Sequence, residues 1–284
     1  MGLAQKRKWK QFEDLFGDVS EDILPVELSH YCDLTALLSI LTNGNLWASN
    51  IRFLNDKEEM EFGFAVAKEL LEIVTAENDF IEDLHVPNFQ PDDFDPSVIP
   101  DVYAVSFCEN PDLLSMWRGY GAGSQSVSIQ FNRTILEDII DGPSFRLSKV
   151  IYGRDEALTE LRENIDKNRQ LMTAIFAGFS EMPYWADKTT VYQASPKFKN
   201  EHFKEEQEWR LISNLTTFTV NYRPRGNVLL PYIVVKDIAE AISSITVGPG
   251  KDSELTKRSI EHCIRGVPEF KNVRILLSEI PYRT

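Results

Sequence analysis

The stretch Phe203-Lys204-Glu205-Glu206-Gln207-Glu208-Trp209-Arg210-Leu211-Ile212-Ser213 passes abruptly from a run of charge to an apolar segment. Residues 207–212 read as the start of a strand. Side chains on a strand alternate between faces, so Glu206, Glu208 and Arg210 share one face, and Gln207, Trp209 and Leu211 share the other. Two readings stay open at this point. The carboxylates and the guanidinium form a catalytic group at the mouth of a sheet, or they form the solvated edge of a strand whose Trp and Leu face the core. A slip of one residue exchanges the faces.

Two earlier stretches bear on that choice. Val26-Glu27-Leu28-Ser29-His30-Tyr31 alternates and predicts a strand with His30 at its end. Asp33 is a good N-cap for a helix over 34–41, Gly44 sits where that helix should stop, and 45–49 returns as a strand. Further on, 101–108 predicts a strong strand through Ser106, followed by a short helix over 112–119 that contains Trp117. The turn Tyr120-Gly121-Ala122-Gly123-Ser124 comes after that helix. A dinucleotide fingerprint must follow a strand and open a helix, so a Rossmann reading is excluded.

Periodicity predicts further helices over 8–16, 57–76, 134–140, 155–179 and 253–264. Further strands are expected over 127–131, 145–152, 228–235, 242–247 and 273–277, while 184–199 continues irregularly or helically. Asn55 or Asp56 caps the helix over 57–76. The acidic stretch 77–101 carries Pro87, Pro91, Pro96 and Pro100 and reads as a loop or insertion. Gly248-Pro249-Gly250 turns into the helix over 253–264, a place that can bind phosphate, with Lys251 as the basic residue beside it. The chain divides into an N-terminal helical extension over 1–25 and a single domain over 26–284.

Composition narrows the class. A hydrophobic fraction of 43% with 17 Phe, 9 Tyr and 5 Trp is that of a globular chain. The 30 basic and 44 acidic residues give a net charge of −14. That balance argues against binding along a nucleic-acid backbone, which needs clustered cations, though not against acting on a nucleic-acid end or base. Cys32, Cys108 and Cys263 are odd in number and lack metal-ligand spacing, as do His30, His85, His202 and His262. No metal site and no membrane span are expected, and the protein reads as cytoplasmic.

Three patches carry residues that packing alone does not require: Ser29-His30-Tyr31 with Trp47-Ala48-Ser49, Ser106-Phe107 with Trp117 and Tyr120, and Glu206-Gln207-Glu208. They make a poor hydrolase, because no Ser or Cys nucleophile has a base beside it in an elbow. They suit a nicotinamide nucleotide. A His can donate to a ribose hydroxyl, an aromatic ring can stack on nicotinamide, and a Glu can stabilise the positive charge that develops when the glycosidic bond breaks. Each has a plain alternative. His30 is then a buried His bonded to a backbone carbonyl, Trp117 and Tyr120 are core, Glu208 and Arg210 are a structural ion pair, and Arg52 is a surface residue rather than a phosphate ligand.

The pattern His30-Tyr31, Asn55-Asp56…Glu59, Ser106-Phe107…Trp117…Tyr120, Glu206-x-Glu208-x-Arg210 and Val247-Gly248-Pro249 resembles the bacterial family DUF2971, from about residue 26 to the end. Its order of motifs is in turn similar to the ADP-ribosyltransferase fold, as in the His-Tyr-Glu branch and the tRNA 2′-phosphotransferases. The resemblance implies an α+β fold with a split, mostly antiparallel sheet and helical insertions around 57–76 and 155–200. It implies NAD as substrate, with Glu208 and Glu206 catalytic and His30, Tyr31, Ser49, Arg52, Ser106, Trp117 and Tyr120 around the nucleotide. It also implies transfer of ADP-ribose to a macromolecular acceptor (RNA, DNA or protein) by a bacterial toxin or anti-phage effector, with an antitoxin or inhibitor protein as a partner. NAD hydrolysis and a non-enzymatic nucleotide-sensing or interaction module are the alternatives. The sequence departs from the pattern in having Ser-Phe where Tyr-Phe is usual, and in placing Arg210 where it can neutralise Glu208.

Overall fold

The computed structural model describes residues 24–53, 58–78, 100–120, 125–140, 142, 144–175, 182–214 and 218–281. The expected helix over 8–16, the Asn55-Asp56 cap, most of the acidic stretch 77–101 and the turn 121–124 lie outside the described residues.

The opening unit forms as its sequence dictates. Strand β1 (Glu27–Asp33) ends on the residue that caps helix α1 (Leu34–Asn43), and the Asp33 carboxylate accepts the Ala36 N–H at 2.7 Å. Gly44 takes the left-handed conformation, φ 64°, that stops the helix. Strand β2 (Leu46–Asn50) follows, then helix α2 (Glu58–Asn78), strand β3 (Tyr103–Cys108), helix α3 (Leu114–Tyr120), strand β4 (Ser126–Asn132) and helix α4 (Arg133–Ile139). The middle of the chain supplies strands β5 (Phe145–Lys149) and β6 (Ile151–Tyr152), helices α5 (Arg154–Ile175) and α6 (Met182–Ala194), and strands β7 (Phe198–Lys199) and β8 (Glu208–Ser213). Strands β9 (Asn221–Arg225), β10 (Val228–Val235) and β11 (Ile242–Val247), helix α7 (Ser253–Ile264) and strand β12 (Arg274–Leu277) complete it.

Among the described residues the main sheet has ten strands, in the order β12-β11-β4-β1-β3-β2-β10-β9, with β8 on β3 and β5 on β8. It is antiparallel except for β11 and β12, so the expected mixed, mostly antiparallel architecture is what the chain adopts. Strand β3 organises it. One edge of β3 pairs with β8 from Ala104↔Ile212 to Cys108↔Glu208. The other edge is shared: β2 takes Tyr103 and Ala104, and β1 takes Cys108. The two neighbours part in between, and the Ser106 carbonyl in that gap bonds His30 Nδ1 at 2.9 Å. The sheet is split there, with His30 at the split.

The period of two decides what each face buries. Tyr103, Val105, Phe107, Trp209 and Leu211 face a core closed by α1, α4 and α7. Ala104 and Ile212 face the other way, into a core built with α2, α5 and α6. The expected insertions thus pack together on one face. The contact is close: a Cβ on Gly63 of α2 would lie 2.5 Å from the Cβ of Ser195 and 2.8 Å from its Cα. Gly63→Ala is therefore expected to cost about 1–3 kcal/mol by overpacking, read as a lower urea midpoint with unchanged slope.

The structure corrects three local expectations and sharpens a fourth, the irregular or helical reading of 184–199. Strand β8 begins at Glu208, because Gln207 is left-handed (φ 43°) and closes a 3-10 turn over Glu201–Glu206. Glu206 is therefore not on the strand. The expected strand over 145–152 breaks at Val150, whose N–H turns to the Glu208 carbonyl at 2.9 Å. Residues 184–199 resolve into α6, a 3-10 turn and β7. Strand β9 was not expected at all; it carries Pro224 and lies at the sheet edge, where a missing N–H is tolerated.

Candidate functional site

Glu208 opens β8 directly opposite Cys108, and β1 joins β3 at that same Cys108. Glu208 is 3% exposed, Arg210 1% and Lys199 6%. Arg210 donates from Nε to Glu208 Oε1 at 2.7 Å and from Nη2 to Oε2 at 2.9 Å, a two-point clasp. Its Nη1 donates to the Pro196 carbonyl at 2.7 Å. Lys199, delivered by β7, donates to Glu208 Oε2 and to Glu206 Oε2, both at 2.9 Å. The Glu208 N–H donates to the Tyr152 hydroxyl at 2.7 Å. Glu206 and Glu208 thus converge on one ammonium although only Glu208 is on the strand.

Burial by itself raises the pKa of Glu208. The Arg210 guanidinium, then Lys199 and a hydrogen bond from Ser106, outweigh it and hold the carboxyl at about 2, down from 4.5. In the unfolded chain the group takes up its proton near 4.5. Its contribution to stability, on the order of 3 kcal/mol, is therefore complete above that pH and lost as pH falls toward 2. Urea unfolding at pH 6, 4 and 3 should show this acid loss in the wild type and a shallower one in Glu208→Gln.

An aromatic wall stands on the same face. Cys108 opposes both Glu208 and Ser29, so Tyr31, two residues beyond Ser29, shares their face. The Tyr31 hydroxyl donates to the Asn110 carbonyl at 2.8 Å and accepts the Leu113 N–H at 2.9 Å. Its ring meets Trp117 edge-on at 4.7 Å and lies 6.3 Å from Tyr120. Trp117 is 2% exposed and donates from Nε1 to Asp112 at 2.6 Å. Asp112 also takes the Ser278 hydroxyl and the Glu279 N–H, which ties the C-terminal segment to this wall. Gly248 is a glycine because Trp117 packs on it, 2.8 Å from where a Cβ would be. Tyr120 is different: it is 45% exposed.

His30 lies on the alternate side of β1, with its ring 5.9 Å from Phe107. Burial lowers its pKa below 6.5, and the charge of Arg223 adds to that, so the ring is neutral at pH 7. The Ser106 carbonyl can only accept, so the proton is on Nδ1 and Nε2 carries the lone pair. The sequence suggested that His30 donates to a ribose hydroxyl; the tautomer makes Nε2 an acceptor instead. Ser49 accepts from Arg223 Nη2 at 3.0 Å. Arg52 follows β2 in a short 3-10 turn, half-buried, with its N–H on the Asn50 side chain.

Glu206, Glu208, Ser106, Tyr31, Trp117 and Tyr120 are therefore gathered around the junction of β1, β3 and β8, His30 sits in the split, and Ser49 lies on the β2 side. Lys199, Tyr152, Asp112 and Arg223 were not foreseen. Lys199 stands just before the charged run that the sequence singled out, and that proximity was the available signal. Among the described residues, no group of three His, Cys, Asp or Glu is placed to hold a metal ion, and no helix is long and apolar enough to cross a membrane.

Residues 116–211 match the family model described as a protein of unknown function, DUF2971. The match is narrower than the span from about residue 26 that the motifs suggested. It includes Trp117, Tyr120, Lys199, Glu206, Glu208 and Arg210 and leaves out His30, Tyr31 and Arg223. Among solved structures, the chain is similar to Thermus sp. 2.9 DarT in complex with ADP-ribosylated ssDNA, at 12% identity over 89% of this chain and 94% of that one, with a TM-score of 0.35. No curated protein matches the chain.

Proposed function

We propose that the chain cleaves the nicotinamide–ribose bond of NAD+ and transfers ADP-ribose to a macromolecular acceptor. The observation that carries this reading is a carboxylate, Glu208, held ionised and nearly dry beside an exposed tyrosine ring at the mouth of a split sheet. Tyr120 flanks the nicotinamide ring. His30 accepts from a ribose hydroxyl through Nε2. As the bond breaks, its electron pair leaves with the nicotinamide nitrogen, and the positive charge left on the sugar is stabilised by Glu208. Glu206, the more exposed of the two carboxylates at 21%, orients the acceptor and takes its proton. Water as acceptor gives NAD hydrolysis from the same residues. The cellular setting that fits this chemistry is a cytoplasmic toxin or anti-phage effector restrained by an inhibitor protein.

One observation favours a second reading. The Glu208 carboxylate already receives two bonds from Arg210 and one from Lys199. Four charges in this cluster sum to zero, as they do in a structural network. On this reading the fold is a nucleotide-sensing or interaction module without turnover. Incubating the protein with NAD+ and following nicotinamide release by chromatography separates the two. Release by the wild type that is absent from folded Glu208→Gln supports transfer or hydrolysis; no release, even with cell lysate supplied as acceptor, supports the module.

A further inference from the structure

We propose that Arg223 is a phosphate-binding residue that takes the diphosphate of a nucleotide at the β2 side of the split. The ligand's identity rests on the nucleotide reading above; the anion site rests on its own geometry.

Arg223 sits on β9, the last strand of the main sheet on that side, where a long cation would ordinarily point into water. It does the opposite. Its side chain reaches over β10 to β2, donates from Nη2 to Ser49 at 3.0 Å, and lies over the Trp47 ring at 5.3 Å. Tyr232 stacks on Trp47 at 4.6 Å and fixes the platform. The guanidinium is therefore held in one place before any ligand arrives, which lowers the entropy lost on binding.

Register gives its direction. Leu230 opposes Arg223, Tyr232 opposes Ser49, and Ser49 opposes Ala104. Directly opposed residues share a face, and so do residues two apart. Arg223 is thus on the face that carries Ser106, Cys108 and Glu208. Ala104 and Cys108 are four residues apart, about 13 Å along β3, a span that an extended dinucleotide can bridge.

The guanidinium is incompletely satisfied. Its Nε is buried without a hydrogen-bond partner, and among the described residues no carboxylate lies within ion-pair distance. A buried charged donor left unpaired is costly. The neighbours sharpen the demand: Arg225, two residues on, shares the face of β9, and His30 beyond feels the charge of Arg223. Asp33 and the Tyr232 hydroxyl act on Arg223 in the opposite sense, at a distance and without an ion pair to its guanidinium. A planar guanidinium fixed in place, with its Nε donor unpaired, fits phosphate oxygens once a ligand settles against that edge.

Calorimetry with ADP, and with adenosine as the uncharged control, tests the assignment. Arg223→Ala should weaken ADP binding at least tenfold and leave adenosine unchanged, with thermal unfolding as the check on the fold. Should Arg223→Ala fail to fold, Arg223→Lys decides: it keeps the charge and lacks the Nε edge, and it should lose at least threefold. ADP affinity equal to wild type in the folded variant overturns the assignment, as does a wild type that binds no ADP. Glu208-dependent nicotinamide release with ADP binding indifferent to Arg223 sinks this inference alone. ADP binding that depends on Arg223, without release in any condition, sinks the transferase reading alone.

Discussion

Arg210→Met should lower the free energy of unfolding by about 3–5 kcal/mol at pH 7, a large share of the roughly 5–15 kcal/mol that a domain has. Arg210 is 1% exposed and gives two bonds to Glu208 and one to the Pro196 carbonyl. Methionine fills much of the space, so the loss is not a cavity effect. It comes from leaving a desolvated carboxylate with only Lys199 and the Ser106 hydroxyl and a buried carbonyl without its Arg210 donor. Arg210→Lys should recover only part, because an ammonium is a point charge and cannot bridge both oxygens. An exposed pair gives the scale. Arg154, 61% exposed, donates from Nε to Glu69 at 2.6 Å, and Arg154→Ala should cost no more than about 1 kcal/mol. A loss below about 1 kcal/mol for Arg210→Met would mean that the cluster around Glu208 is wet in solution.

Much of the frame was legible because local chemistry and tertiary packing agree. Asp33 and Gly44 bracket α1 by capping alone, and the alternation over 208–212 sends Trp209 and Leu211 to one core and Ile212 to the other. The site was legible only in part, because its bonds join residues far apart in sequence. Trp117 and Tyr120 lie on the same short helix; the sequence favoured Trp117 over Tyr120 as core but left open which ring flanks the nicotinamide. Asp112 separates them by holding the indole together with Ser278, 166 residues away. The direction of the His30 hydrogen bond followed from the Ser106 carbonyl, which only the split in the sheet exposes to it. Arg223 stayed hidden because Pro224 beside it argues against a strand, and an edge strand is where that argument fails.

Glu208→Gln should reduce nicotinamide release from NAD+ by about 10²–10³-fold or more, the scale on which removing one preorganised electrostatic group acts. The amide keeps the shape and an acceptor oxygen, so nucleotide binding should change little and the loss should fall on kcat. The substitution also leaves Arg210 and Lys199 short of negative charge, so it destabilises. Activity must therefore be read where urea curves show the variant folded. Glu206→Gln is the internal control. Glu206 is on a 3-10 turn, is partly exposed, and meets the cluster through Lys199. It should keep most of the hydrolytic release and lose transfer to an acceptor. Loss of both activities in Glu208→Gln with loss of transfer alone in Glu206→Gln assigns charge stabilisation to the first carboxylate and acceptor deprotonation to the second. Equal loss in both variants would make the four-charge cluster a single unit that sets the pocket. A folded Glu208→Gln that releases nicotinamide at the wild-type rate would leave Glu208 as the ion partner of Arg210 and remove it from the chemistry.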